Sequence, residues 1–351
     1  MAKINKRQQE ILNFIRLNPD TTNSAILQYL TKNFEDVSRI TIVRDLNLLL
    51  KEKLINKIGQ GRNVSYSEAI TNKLLRFFDV EQYFKMGPDE RKVAYKNFNF
   101  DIFNNLENIF TDQELKSLTI LNDEYLFNVE KLSQSSLKKE FERLTIELSW
   151  KSSQIEGNTY SLIDTEILIK ENKEAPGHKK EEATMILNHK KVLDYILVNQ
   201  SKFKILKLRD IEDVHQLIVK GLGVETGLRK RAVGITGTSY KPLDNRHKIK
   251  ESLEEAIKSL NKISDPFSKS FLAILFISYI QPFEDGNKRT ARMIANAVLL
   301  SHNACPLSFR SIDEADYKKG VILFYEQNSA RFFKKLFFEQ FEFSVKNYFL
   351  T

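Results

Sequence analysis

The 351-residue sequence contains little cysteine, glycine, proline or tryptophan. Its single cysteine, Cys305, excludes an internal disulfide framework and a cysteine-based zinc site, and it is typical of a reducing compartment. The 12 glycines and 7 prolines are too few for a collagen-like, low-complexity or turn-rich all-β chain. No apolar run approaches the ~18 residues of a membrane span, and residues 1–7 are too polar for a signal peptide. We therefore expect a mainly α-helical, cytoplasmic protein without membrane contacts.

Positive charge is concentrated near the N-terminus. The formal net charge of the chain is +8, and residues 1–70 carry 11 basic and 7 acidic residues, which is half of the excess. This asymmetry favours a nucleic-acid-binding N-terminal region, with a solvated basic surface as the alternative.

Residues 1–70 show the pattern of three short helices followed by a basic hairpin. Apolar residues at helical spacing predict a helix over 7–16, a second helix with its N-cap among Thr22, Asn23 and Ser24, and a third helix that Ser38 can cap. A strand over 54–58, a turn over 59–63 and a return strand over 64–66 follow. The third helix is expected to bury Ile40, Ile42, Val43, Leu46, Leu49 and Leu50.

This order resembles a winged helix-turn-helix domain. Such a domain implies DNA binding, with the third helix in the major groove and the hairpin against phosphates. The expected DNA contacts are Arg39, Thr41, Arg44, Lys57 and Arg62. The alternative is a winged helix used for dimerisation or protein contacts, and a homodimer is compatible with either use.

A second informative pattern is a buried helix, a tight loop and a further helix. Residues 271–280 are apolar nearly all round, Pro282 ends that helix, and Gly286 permits a tight turn. A new helix is predicted from about Asn287 to residue 299. Free backbone N–H groups at its start would bind an anion, aided by the helix dipole.

Charged residues surround this predicted anion site. Arg289 and Arg292 are three residues apart and so share a helix face. Asp285 precedes the turn and is placed to hold Mg²⁺ bound to phosphates. A carboxylate, backbone amides and two arginines together suit a di- or triphosphate.

Residues 281–292 closely resemble the signature of the Fic (Fido) family, matching eight of its nine specified positions. The resemblance implies a Fic-fold helical bundle that transfers AMP from ATP to a Ser, Thr or Tyr hydroxyl of a target protein. It implies that Asp285 holds Mg²⁺ and that Phe283 packs in the core. The implied nucleotide contacts are Gly286, Asn287 and Lys288 around the phosphates, Arg289 and Arg292 on the outer phosphates, and Tyr317 near the adenine.

Two positions depart from the usual members of the family. Gln281 stands where the signature has the histidine that acts as general base, and a carboxamide cannot accept a proton near pH 7. Lys288 stands where most AMP-transferring members have glycine, and it resembles the Doc branch, in which phosphate is transferred instead. His215 resembles a structural histidine of the family, and His247 lies in a loop that could approach the site.

The segment from Ser152 to Gly157 resembles the family's inhibitory helix, with Ser152, Glu156 and Gly157 at the matching positions. This resemblance implies a charge-assisted pair between Glu156 and Arg292 that withdraws the arginine from the γ-phosphate. The alternative is an ordinary surface glutamate on a helix.

Residues 226–242 alternate apolar and polar side chains between glycines, which predicts a β-hairpin. The hairpin resembles the family's flap, which clamps a target segment by strand addition. Its expected target-binding residues are Gly234, Ile235, Thr236 and Gly237. An ordinary surface hairpin is the alternative.

The predicted fold class is mainly α: a Fic bundle with a short β-hairpin flap and a small α+β winged-helix domain. The predicted domains are the winged helix over 1–70, a helical linker with the inhibitory helix over 71–206, and the Fido core over 207–345. Two functions follow. The chain is an autoinhibited adenylyltransferase impaired at Gln281, with ATP and Mg²⁺; or it is an inactive pseudo-enzyme that senses nucleotide and regulates transcription.

Overall fold

The computed structural model describes residues 4–34, 37–69, 72–104 and 106–351. Contacts divide the chain into two compact units, Met1–Met86 and Gly87–Thr351.

The N-terminal unit combines three helices with a small antiparallel sheet. The helices are α1 (Lys6–Leu17), α2 (Asn23–Asn33) and α3 (Arg39–Lys51), and a short α4 (Val80–Phe84) follows later. Strands β1 (Thr21–Thr22), β2 (Ile55–Ile58) and β3 (Ser65–Glu68) lie in the order β1-β3-β2. In the β2–β3 pair, Ile55 is opposite Glu68 and Ile58 is opposite Ser65. The three helices and the basic hairpin predicted from the sequence are therefore present.

Side-chain caps begin these helices, as polar residues before apolar runs predict. Thr22 Oγ1 accepts from the backbone N–H of Ala25, and Ser38 Oγ accepts from that of Thr41. Thr22 is thus the cap among the three residues expected there, and the predicted cap at Ser38 is confirmed. Asn5 and Gln8 form a reciprocal capping box at the start of α1.

The inner face of α3 is narrower than the sequence predicted. Ile42, Leu46 and Leu49 are buried in the core of the unit. Ile40 and Val43 were expected to face inward, but they are 67% and 40% exposed. That expectation was wrong because an α-helix buries only one stripe at 3.6-residue spacing.

The buried face of α3 also contains a charged residue, Asp45. Asp45 of α3 accepts hydrogen bonds from Arg7 Nε at 2.6 Å and from Gln8 Nε2 at 2.8 Å. These bonds tie α3 to α1 and fix which face of α3 turns inward. Of the predicted DNA contacts, Arg39, Arg44 and Lys57 are exposed and Thr41 is half-buried. The side chain of Arg62 lies outside the described part of the structure.

The C-terminal unit is helical, with Phe100–Phe103 and Gln200–Lys204 as short 3₁₀ turns. Its α-helices are α5 (Asp112–Lys131), α6 (Gln134–Ile155), α7 (Leu162–Glu171), α8 (Lys180–Val198), α9 (Leu208–Val219), α10 (Arg246–Lys262), α11 (Pro266–Ile280), α12 (Asn287–Ser301), α13 (Glu314–Gln327) and α14 (Arg331–Asn347). Among the described residues, no helix combines the length and apolar character needed to cross a membrane.

Helix α11 forms the centre of this unit. Every residue from Phe267 to Ile280 is buried, as the all-round apolar sequence predicts. It packs along α12, which also contacts α6, α8 and α9. The loop between α11 and α12 therefore rests on a rigid core while its outer side remains open.

The predicted β-hairpin over 226–242 does not form. These residues are all described, and they contain no paired strand apart from a single bridge between Lys241 and Asn97. The physical reason is that backbone N–H groups at both ends of the segment, on Arg229 and Lys241, bond to residues outside it and not across a hairpin. Arg229 donates from its backbone N–H to Pro282 O and from Nε to Gln281 O at 2.6 Å, which fixes the segment beside the α11–α12 loop.

Candidate functional site

The 281–286 loop joins α11 to α12 through two residues with left-handed backbone. Gln281 has a φ of 51° and Gly286 a φ of 81°. A Cβ atom at position 286 would lie 2.9 Å from Val219 Cγ1, so both the backbone and the space require glycine. The chain can thus turn sharply and start α12 at Asn287 against α9.

The amide of Asn287 closes this loop from inside. Its Oδ1 accepts from the backbone N–H of Phe283 at 2.8 Å, and its Nδ2 donates to Phe283 O at 2.8 Å and to Gln281 Oε1 at 3.0 Å. Asn287 is buried, so these bonds are shielded from water. Its side chain therefore holds the loop shape, and only its backbone is left for an anion.

Gln281 is built into the same network. Its Nε2 donates to Ser278 O at 2.6 Å and to the Tyr325 hydroxyl at 3.3 Å. Together with the bond to Asn287, these contacts use both ends of the carboxamide. The side chain occupies the signature position as a fixed, neutral group.

His215 of α9 contacts the loop through Phe283 and Asp285. Its ring stacks on Phe283 with centroids 3.7 Å apart, and Nε2 donates to Asp285 O at 3.0 Å. Burial lowers the pKa of His215 to about 4, so the ring is neutral at pH 7. Both rings pack in the core, as expected. His247 is exposed on α10 and is outside the lining of the cavity described next.

A cavity of about 380 Å³ opens over the loop and the start of α12. It is lined by Glu156, Val233, Gly234, Ile235, Thr236, Gln281, Glu284, Asp285, Gly286, Asn287, Lys288, Tyr317, Lys318, Val321, Ile322 and Tyr325. Three of the four predicted flap residues therefore reach the cavity even without a hairpin. Gly237 is outside the lining and accepts a hydrogen bond from Arg91 through its carbonyl oxygen.

The two signature arginines are buried and already paired. Arg289 Nη2 lies 2.8 Å from Asp285 Oδ2. Arg292 Nη2 lies 2.9 Å from Glu156 Oε1, and the Arg292 guanidinium carbon is 5.2 Å from the centre of the Tyr317 ring. Neither arginine lines the cavity.

Glu156 lies between two cations. Its Oε1 contacts Arg292 and its Oε2 lies 2.9 Å from Lys288 Nζ. Burial alone would raise the pKa of Glu156, but the two cations and their hydrogen bonds outweigh it and lower the pKa to about 2. The Glu156–Arg292 contact suggested by the resemblance is present in the structure. The Lys288 contact was not foreseen, because the sequence places the two residues 132 positions apart.

The end of α6 presents Glu156 to those cations. Helix α6 stops at Ile155, and Gly157 has a φ of 93°, a left-handed ending typical of glycine. One turn earlier, Ser152 Oγ accepts from Arg292 Nε at 2.8 Å, and Ser152 O accepts from Arg292 Nη2 at 2.8 Å. The hydroxyl also lies 2.8 Å from His189 Nε2, a neighbour that no sequence pattern indicated.

Asp285 is the residue that the sequence analysis expects to hold Mg²⁺. It lines the cavity, and its side chain is 65% exposed. Among the described residues, no cluster of three or more His, Cys, Asp or Glu side chains could hold a metal alone. One carboxylate fits Mg²⁺ that arrives with phosphates, since this ion keeps several waters and takes ligands from its substrate.

The comparisons with known proteins agree with this geometry. Residues 205–299 match the model of the Fic/DOC family. A relative named protein adenylyltransferase Fic, from Nematostella vectensis, is 27% identical over 177 residues, covering 47% of this chain and 40% of the relative. The fic-1 protein adenylyltransferase of Caenorhabditis elegans is 26% identical over 171 residues, covering 46% and 33%. The chain thus spans less than half the length of these relatives.

Solved structures share the helical fold. A Fic domain containing signaling protein from Bacteroides thetaiotaomicron superposes with a TM-score of 0.56 at 19% identity, covering 66% of this chain and 94% of that chain. At this identity the likeness concerns the fold. The family match thus covers residues 205–299, and the likeness to solved structures extends the shared helical fold over about two thirds of the chain.

We predict that Gly286→Ala destabilises the helical unit by roughly 1–3 kcal/mol, because a Cβ both strains the backbone and meets Val219. Unfolding followed by Trp150 fluorescence in the full chain would measure this, since Trp150 is the single tryptophan.

Alanine substitutions at two other glycines distinguish the cost of the left-handed backbone from the cost of the contact with Val219. Gly177 has a φ of 83° with nothing near its Cβ position, and Gly234 is free of both constraints. The expected order of destabilisation by alanine is position 286, then 177, then 234. Equal stability of the variants at 286 and 234 would contradict the steric role of Gly286.

Proposed function

We propose that this chain is a Fic-type nucleotide-binding protein that resembles protein adenylyltransferases and is held in an inhibited state. The observation that carries the proposal is the cavity of about 380 Å³ over the start of α12, lined by Asp285, Gly286, Asn287 and Lys288. Its volume lies in the usual range for small-molecule sites. The names of the relatives support AMP transfer from ATP to a protein hydroxyl as the reaction class.

The nucleotide would place its phosphates at the start of α12. The backbone N–H groups there have no helical partner and favour an anion. Asp285 would hold Mg²⁺ against the phosphates, which neutralises part of their charge. Tyr317 borders the cavity and is the proposed neighbour of the adenine. Gly234, Ile235 and Thr236 would receive the target segment from the other side.

Glu156 would inhibit this site by occupying Arg292. A phosphate can pair with Arg292 only if it replaces the Glu156 carboxylate, which lies 2.9 Å from both Arg292 and Lys288. Lys288 therefore adds a second charge that holds the inhibitory group. In a chain with glycine at this position, that extra restraint would be missing.

We predict that Glu156→Gly strengthens Mg·ATP binding by roughly tenfold or more, because it frees two cations for phosphate. Isothermal titration calorimetry on the full chain measures the affinity. Lys288→Gly should not reproduce this gain, since it removes a phosphate partner together with the restraint.

The control is Glu339→Gln. Glu339 is an exposed glutamate of α14 outside the lining of the cavity, so its effect on ATP affinity should stay within about twofold. Unchanged affinity in Glu156→Gly would remove the inhibitory role.

The residue that bears on whether the protein is an active transferase or an inactive pseudo-enzyme is Gln281. Its carboxamide is bonded at both ends and cannot accept the proton of a target hydroxyl. This observation favours weak or absent transfer. The second candidate function is then a nucleotide-sensing regulator that acts through the winged-helix unit.

We predict that Gln281→His, combined with Glu156→Gly, raises transfer from ATP by roughly 10²–10⁴-fold over Glu156→Gly alone. ATP labelled at the α-phosphate reports AMP transfer, and ATP labelled at the γ-phosphate reports the phosphate transfer that Lys288 suggests. Strong labelling by the chain with Gln281 intact would overturn the pseudo-enzyme candidate.

DNA binding is the proposed use of the N-terminal unit. Arg39 and Arg44 project from the exposed face of α3, and Lys57 projects from β2. Ile40 and Val43 share that exposed face, where apolar side chains can contact thymine methyl groups.

We predict that Arg44→Ala weakens binding to mixed-sequence duplex DNA and reduces the slope of log K against log[salt] by about 1, because one phosphate contact is lost. Fluorescence anisotropy across a salt series measures this slope. Lys335→Ala, at an exposed lysine of the helical unit, is the control and should leave the slope unchanged. An unchanged slope for Arg44→Ala would favour a protein-contact role for α3.

A further inference from the structure

His189 is a fully buried histidine that lies beside the proposed nucleotide site without lining it. It belongs to α8 and is 0% exposed. Its Nδ1 lies 2.8 Å from the carbonyl oxygen of Met185, and its Nε2 lies 2.8 Å from Ser152 Oγ. Ser153 Oγ is also near Nδ1, at 3.4 Å.

These neighbours determine where the protons are. A carbonyl oxygen only accepts, so Nδ1 carries the hydrogen and donates to Met185. Burial lowers the pKa of His189 to about 3, so the ring is neutral and Nε2 is an acceptor. The Ser152 hydroxyl therefore donates to His189.

The direction of that hydroxyl decides what Ser152 can offer to Arg292. A guanidinium only donates, and Arg292 Nε lies 2.8 Å from Ser152 Oγ. Because the hydroxyl hydrogen points to His189, the oxygen lone pairs can face Arg292. A hydroxyl hydrogen turned toward Arg292 would lose this bond.

Ser152 contacts Arg292 without help from Glu156. Its hydroxyl and its carbonyl oxygen hold Nε and Nη2, and Glu156 adds a separate contact at Nη2. The two residues of the inhibitory segment thus do different things. Ser152 orients the guanidinium, and Glu156 occupies the side of it that an anion would use.

We propose that His189 is a positioning residue: through Ser152 it fixes the Arg292 guanidinium in the orientation that receives the outer phosphates of a nucleoside triphosphate. The inference rests on the proposed function, in which Arg292 binds those phosphates. It gives His189 of α8 a role in nucleotide binding that no sequence motif indicated.

The test uses the full chain with Glu156→Gly as the parent, so that Arg292 is open to phosphate. Calorimetry compares Mg·ATP with AMP, which lacks the outer phosphates. His189→Leu removes the acceptor for the Ser152 hydroxyl, and we expect roughly tenfold weaker ATP binding with AMP binding changed by less than about twofold. His189→Gln keeps an acceptor oxygen and should restore most of the ATP affinity.

Ser152→Ala provides an independent variant that removes only one oxygen. It should reproduce the selective loss of ATP affinity, and Ser152→Ala with His189→Leu should lose no more than either alone. Trp150 fluorescence confirms that each variant is folded. If His189→Leu folds poorly, the comparison of Ser152→Ala with the parent still shows whether ATP affinity falls while AMP affinity is kept.

Three results would overturn the inference: equal loss of ATP and AMP affinity, additive losses in the double variant, or no rescue by glutamine. These results leave tight ATP binding by the parent intact. A parent that binds ATP no better than AMP would instead overturn the proposed role of Arg292, and the inference with it.

Discussion

A guanidinium shielded from water requires an anion beside it, and the cavity of the helical unit is organised around this constraint. Arg292 is fully buried, and Glu156 supplies the charge. Removing one partner of such a buried pair is strongly unfavourable, because the other charge remains without compensation. In the proposed function, a phosphate would therefore reach Arg292 only by exchange with the Glu156 carboxylate. In that function, the Glu156 carboxylate satisfies the need of Arg292 for an anion in the inhibited state, and a nucleotide phosphate satisfies it in the bound state.

The loop beside Arg292 keeps its shape by different means. Neutral hydrogen bonds from Asn287, the left-handed backbone at Gly286 and the stacked pair of His215 and Phe283 hold it from inside. One of the Asn287 bonds ends on the neutral carboxamide oxygen of Gln281, so the shape of the loop needs no ionisable side chain at position 281. The loop and the start of α12 therefore keep their arrangement with a glutamine at position 281.

The sequence predicted those features that depend on neighbours along the chain. The buried α11, the turn at Gly286, the cap at Ser38 and a cap within residues 22–24 follow from local pattern, and the structure contains them. Predictions that depended on distant partners were incomplete. The 226–242 hairpin was wrong because Arg229 bonds to the loop between α11 and α12. Ile40 was misplaced because α3 buries a single stripe, on the side where Asp45 bonds to Arg7 and Gln8.

The placement of Glu156 has a mechanical consequence. The residue follows directly after the last helical residue of α6, and its backbone lies within the turn that ends at Gly157. Rotating its side chain away from the cations breaks two ion pairs and leaves every backbone hydrogen bond of α6 in place. The ligand would compete with one rotamer of one residue, and no segment would have to refold. In the proposed function, such a gate would give the hyperbolic response of simple one-site competition, without a threshold in nucleotide concentration.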